Sequence, residues 1–142
     1  MPEARGQKME GGGQTVSRQI SSFHDLRVYQ AAMELQQAVF EASKLWPREE
    51  KFSLIDQARR SSRSVGANIA ESWAKRNYPL HFISKLTDAD GELQETSHWL
   101  STALTCRYMT DTENAQLQSL IKEIGKMLGK MMSMPEKFRR TE

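Results

Sequence analysis

Residues 57–72 read QARRSSRSVGANIAES. Three arginines sit among small residues, and then the chain turns apolar and acidic. On a wheel of 100° per residue, the segment from Lys51 to Arg76 divides into two sides. Ile55, Ala58, Ser62, Val65, Ile69 and Trp73 form one stripe, with Phe52 and Ala70 beside it. Gln57, Arg60, Ser64, Asn68, Glu71 and Lys75 form a polar stripe on the other side, in steps of three or four. Arg59 and Arg63 flank the core edge, where their aliphatic stems can cover apolar surface. The period is that of a helix, and the apolar side requires other helices to cover it.

Three further stretches show the same period, and no apolar–polar alternation of β type separates them. The first helix runs from about Asp25 to Leu45. It carries two adjacent stripes, Leu26, Tyr29, Met33, Phe40 and Val28, Ala32, Leu35, Val39, Ala42. Two stripes cover more circumference than one core contact needs, so this helix is expected to pack against its own bundle and something else. Pro47 marks the break after it. Asn77, Tyr78 and Pro79 break the second helix from a third, Leu80 to Cys106, with Phe82, Leu86, Ala89, Leu93, Leu100 and Leu104 on one face. Thr110 and Glu113 have capping-box spacing and open a fourth helix, which ends near Met134 before Pro135. It carries Leu117, Leu120, Ile121, Ile124, Leu128 and Met131. Four helices of similar length with short connections predict an all-α fold, an antiparallel up-down-up-down four-helix bundle over residues 23–134. Residues 1–22 are nearly free of large apolar groups and read as a flexible arm. Residues 135–142 read as a frayed basic tail.

Composition narrows the function. The chain has 142 residues, 20 basic and 18 acidic, for a net charge of +2. That balance excludes a protein dominated by phosphate binding, so any nucleic-acid role needs local clustering. One cysteine, Cys106, excludes an intramolecular disulfide framework and fits a reducing cytoplasm. No apolar run approaches the roughly 20 residues that cross a bilayer, and the N-terminal sequence has no hydrophobic signal core. The expected location is the cytoplasm, with no membrane partner.

Candidate chemistry is sparse. His24, His81 and His98 fall in three separate segments, without the one-turn spacing of a helical metal site. DADGE at 88–92 lies within a helical period and lacks the later oxygen ligands of a calcium loop. The one Glu-x-x-His, Glu95 to His98, has no second copy, whereas a di-iron bundle needs one on each of two helices, and no glycine-rich phosphate loop follows a strand. Cys106 reads as a half-buried helix-end thiol, the methionines as core filling, and Trp99 as a candidate interface anchor. No catalytic, cofactor-binding or metal-binding residue emerges, so the chain reads as non-enzymatic.

FHDLRVYQAAMEL, QARRSSRSVGANIAES, DADGELQETSHWL and EIGKMLGKMM together resemble the four-helix-bundle family encoded in intervening sequences of bacterial 23S ribosomal RNA genes. The resemblance spans about residues 23–132. Its specific part is the second motif, where Gln57, Arg59, Arg60, Ser64, Asn68, Ile69, Ala70 and Glu71 match the family pattern. The family's glycine after that glutamate is Ser72 here, and Asp90-Gly91-Glu92 makes the third helix more acidic than usual. The resemblance implies a cytoplasmic bundle that assembles into a ring, commonly a pentamer, in a family with no established enzyme activity. It also implies a distant similarity to accessory proteins of diversity-generating retroelements, which work with a reverse transcriptase and RNA through a basic surface.

Two sets of residues follow as candidates. Gln57, Arg60, Ser64, Asn68, Glu71 and Lys75 form an oligomer or polar contact stripe. Arg59, Arg60, Arg63, Lys75 and Arg76 form a nucleic-acid contact, since the guanidinium fork suits phosphate. The expected function is a homo-oligomeric interaction or scaffold protein. RNA or an RNA-processing partner is one expected associate. The alternative is a ring-forming adaptor for another protein without nucleic-acid contact. Of the two readings of the second helix, the subunit contact is preferred, because Ser, Asn and Gly there sacrifice helix propensity for close approach.

Overall fold

The computed structural model describes residues 19–140, and every structural statement below concerns these. They form four helices and no strand: α1 Arg27–Ser43, α2 Leu54–Ala74, α3 Pro79–Thr105 and α4 Asp111–Ser133. Short 3-10 turns lie at Phe23–Asp25, Arg48–Glu50 and Pro135–Phe138. The arm expected over residues 1–22 lies outside the described residues as far as residue 18. Its described end is ordered: Ile20 packs against the core, and Ser22 and Asp25 form a capping box.

Local chemistry sets the helix ends. Thr110 Oγ1 accepts from the Glu113 N–H at 3.1 Å and Glu113 Oε1 accepts from the Thr110 N–H at 2.9 Å, the capping box expected for α4. Pro79 opens α3, where a missing N–H costs no helical hydrogen bond. Past the end of α3, Arg107 takes φ 65°, and the N–H groups of Arg107 and Tyr108 return to Leu104 O and Ala103 O at 2.9 and 2.8 Å. This is a Schellman closure with arginine where glycine is the usual residue.

Partners step backwards along one helix as they step forwards along the next. Ser43 meets Arg59 and Gln36 approaches Gly66 between α1 and α2. Thr96 meets Ser61 and Lys85 meets Glu71 between α3 and α2. Ser97 meets Gln118 and Thr87 meets Met132 between α3 and α4. Consecutive helices therefore run antiparallel, and α4 closes the bundle against α1. One core fills the interior, with Phe82, Leu35, Ile69, Leu86, Leu93, Leu100, Ile124 and Leu128 fully buried.

On α1 the stripe Val28, Ala32, Leu35, Val39 faces that core, whereas Met33 is 39% exposed. On α2 the expected stripe holds from Ile55 to Ile69 but widens. Leu54, Ser61, Gly66 and Ser72 are buried too, so α2 is covered on two flanks, by α1 and by α3. Phe52, expected beside the core, is 86% exposed, because α2 begins only at Leu54 and residues 51–53 turn it outward. Trp73 is only partly buried, and Cys106, expected half-buried, is exposed at the end of α3. Met109 and Met131 are buried, and Met127 and Met132 pack on the core, as expected of filling side chains.

The C-terminal segment departs from the frayed tail expected of it. Phe138 stacks on Phe82 with centroids 5.6 Å apart, and the Arg140 N–H donates to Asn77 Oδ1 at 2.6 Å. At the other end of the bundle, Tyr108 Oη donates to Glu50 Oε2 at 2.8 Å, and Ser53 Oγ donates to Glu50 Oε1 at 2.7 Å. These bonds, Ser53 first and Tyr108 second, hold the Glu50 carboxyl below its usual range. The carboxylate in turn pushes the Tyr108 phenol up to about 12.

Two outcomes follow. Arg107→Gly removes the left-handed penalty and is expected to raise unfolding stability by about 1 kcal/mol in urea titration. Tyr108→Phe is expected to destabilise the fold at neutral pH. The depressed Glu50 pKa makes the tie fully present above the unfolded carboxyl's pKa and lost as pH falls through the folded one. The raised Tyr108 pKa keeps it present below the unfolded phenol's value and lost as pH rises towards about 12. Thermal unfolding across pH therefore shows the difference between wild type and Tyr108→Phe shrinking at both extremes.

Candidate functional site

The outer edge between α1 and α2 is organised around Phe40. Ser43, fully buried at the end of α1, donates to Phe40 O at 3.0 Å and accepts from Arg59 Nε at 2.8 Å. That bond pins the Arg59 guanidinium 4.7 Å from the Phe40 ring centroid. Arg63, one turn further along α2, lies 5.7 Å from the same ring, and Lys44 Nζ lies 4.7 Å from it. One aromatic ring thus gathers three cations, an arrangement favoured by the ring's negative face.

Beside this cluster runs an open groove of about 530 Å³ along α2, lined by Phe52, Ile55, Asp56, Arg59, Arg60 and Arg63 among others. Phe52 forms its exposed apolar wall, with Lys51 Nζ 5.4 Å above the ring. Among the described residues, no carboxylate lies within ion-pair distance of Arg59, Arg60 or Arg63. The groove is apolar, cationic and open to an outside partner.

The six residues of the polar stripe differ in exposure and in partners. Arg60 and Glu71 are exposed, and Gln57, Ser64, Asn68 and Lys75 are half-buried. Glu71 pairs with Lys85 of α3 at 3.4 Å, and Lys85 also reaches Asp88 at 3.6 Å. Asn68 Nδ2 donates to Ser64 O at 3.0 Å. The Arg60 charge acts on Glu92 of α3. Burial first, then the charges of Glu95 and Asp88, push the Glu92 carboxyl up, and Arg60 opposes them. Glu71 therefore meets α3 of its own chain, whereas Arg60 makes no ion pair among the described residues.

The five cations of the nucleic-acid set split as well. Arg59, Arg60 and Arg63 line the groove. Arg76 lies about 20 Å further along at 1.5 Å per residue, 4.1 Å over the Trp73 ring and donating to Trp73 O at 2.9 Å. Lys75 sits at the α2 terminus, its N–H returning to Glu71 O and Ser72 O. Trp99 is partly buried, and its Nε1–H donates to Glu95 Oε2 at 3.2 Å. Reading the sequence missed Phe40, Ser43 and Phe52 as site residues. Phe40 carried a signal, since it stood with Leu26, Tyr29 and Met33 on the first stripe of α1; Ser43 carried none.

Residues 24–130 match the family model of the 23S rRNA-intervening sequence protein. The chain belongs to that family. A solved structure of an S23 ribosomal protein family member from Bacteroides thetaiotaomicron is similar to it, with a TM-score of 0.67 and 29% identity, covering 74% of this chain and 97% of that one. That protein is described as one of unknown function, and neither match indicates an enzyme family. No curated protein matches the chain. Among the described residues, no helix is long and apolar enough to cross a membrane, and no group of three His, Cys, Asp or Glu could hold a metal ion.

Within this intervening-sequence protein, the residues that match the family motif have separate duties. Ile69 is core, Asn68 ties back to its own helix, Glu71 joins α2 to α3, and Arg59 joins α2 to α1. Ser72, where the family pattern has glycine, is fully buried and donates to Ile69 O at 2.7 Å, so it requires no outside partner. Ser43→Ala leaves the half-buried Arg59 Nε without its acceptor. Its expected cost is about 1–3 kcal/mol in denaturant unfolding, with the loss absent in an Arg59→Ala background.

Proposed function

We propose that this family member is a non-enzymatic, self-assembling interaction scaffold whose α2 groove receives a second copy of the chain. The carrying observation is the groove itself: Phe52, 86% exposed, beside cations already fixed on Phe40. Exposed aromatic and arginine side chains held in place lose little freedom on docking, and these residue types dominate interface energies.

The complementary surface is the acidic row of α3. Asp88 is exposed, Glu92 and Glu95 are half-buried, and Trp99 lies beside them. Burial first, and the neighbouring Glu95 and Asp88 charges after it, raise the Glu92 pKa, so a cation from another copy would relieve a carboxylate that Arg60 only partly offsets. A contact between two different faces is head-to-tail, and such contacts close into rings when the rotation permits. A ring, with five copies expected from the family resemblance, is the reading this asymmetry supports. In this account the ring is a platform for RNA or for another protein.

Arg63→Glu and Phe52→Ala test the reading without disturbing the Ser43–Arg59 bond. Light scattering is expected to give a multiple of 16.3 kDa for wild type and lower mass for both variants. The double variant Arg63→Glu/Asp88→Lys, in which every head-to-tail contact is complementary again, is expected to recover assembly. A wild-type monomer at all concentrations, or variants that retain the wild-type mass, would overturn it. Arg60→Glu is a poor probe, because Arg60 offsets Glu92 in its own chain.

A further inference from the structure

A second cationic cluster lies at the α2–α3 corner, far from the groove. The C-terminal segment folds back there: Phe138 stacks on Phe82, and the Arg140 backbone is held by Asn77. The Asn77 bond sets residue 140 beside the residue that follows Arg76, whose pKa is lowered by burial first and by the Arg140 charge second. Arg76 rests on the Trp73 ring at 4.1 Å and donates to Trp73 O at 2.9 Å. Among the described residues no carboxylate lies within ion-pair distance of either. Between them in the sequence, Tyr78 stands 65% exposed, with His81 edge-on at 6.2 Å.

We propose that this corner binds single-stranded nucleic acid, with Arg76 and Arg140 taking backbone phosphates and the Tyr78 ring stacking on a base. Two like charges on one corner, with no counter-ion among the described residues, are stabilised by a ligand that presents anionic groups in succession. Guanidinium forks match phosphate oxygens. The exposed ring distinguishes nucleic acid from an acidic peptide, because stacking platforms interleaved with cations are how single strands are held without sequence preference. A duplex, whose bases are already stacked, cannot use Tyr78. The site does not depend on the groove or on assembly into a ring.

The test is anisotropy of a labelled single-stranded RNA with full-length protein over a salt series, with the corresponding duplex alongside. Wild type is expected to bind the single strand more tightly. Arg76→Gln and Arg140→Gln are each expected to lower the log–log salt slope by about one. Tyr78→Ala is expected to weaken binding about 5- to 150-fold with the slope unchanged. Arg140→Gln leaves the backbone bond to Asn77 intact, so its effect is free of misfolding. Absence of binding at low salt, a preference for duplex, or binding that Arg63→Gln removes and Arg140→Gln does not, would each overturn the proposal.

Discussion

Helix α2 is covered on two flanks, and the rest of the molecule follows from that constraint. Gly66 faces Tyr29 of α1, where an added Cβ would stand 3.5 Å from the ring. Ser61 meets Thr96 of α3 through hydroxyls 2.8 Å apart. A helix enclosed this way needs small side chains where its neighbours approach closely, and Ala58, Ser61, Ser62, Gly66 and Ser72 supply them between the core residues Ile55, Val65 and Ile69. The serines satisfy their hydroxyls locally, Ser62 on Arg59 O and Ser72 on Ile69 O, so close approach leaves these hydroxyls with partners. The long charged side chains then emerge at the edges, Arg59 and Arg63 beside α1 and Glu71 beside α3.

Arg59 links the buried layer to the exposed one. Its Nε is anchored on a serine that is fully inaccessible, while its guanidinium faces Phe40 at the surface. A flexible side chain is thereby converted into a rigid one, and Arg63 and Lys44 join it around the same ring. Rigid cations beside an exposed aromatic wall bind a partner with less entropic penalty than free lysines would. The cationic surface is thus built by core packing, which also explains why a chain of nearly balanced charge presents a concentrated basic groove.

The fold was legible in the residues because helical period, Pro47, Pro79 and Pro135 punctuation and the Thr110–Glu113 box all point to the same four elements. The stripe of α1 that carries Met33 and Phe40 was legible as apolar surface beyond what the core contact needs. Phe52 was not, since a delay of one turn in the start of α2 moves a side chain from core to solvent without changing the periodic pattern. The Ser43–Arg59 bond joins two helices across a loop, and nothing in spacing encodes such a pair. The division of the stripe had the same cause: whether Glu71 and Arg60 look outward depends on Lys85 and Glu92, which belong to another helix. The folded C-terminus was hidden because one phenylalanine, Phe138, overrides the polar character of its neighbours by stacking on Phe82.

The central claim is that the α2 groove, open in the single chain, is covered by a second copy. Hydroxyl-radical footprinting across a dilution series tests it directly. The account predicts that Phe52 is fully reactive in dilute protein and becomes protected as concentration rises, in step with the measured mass. Phe52 reactivity that stays constant while the mass increases would contradict it.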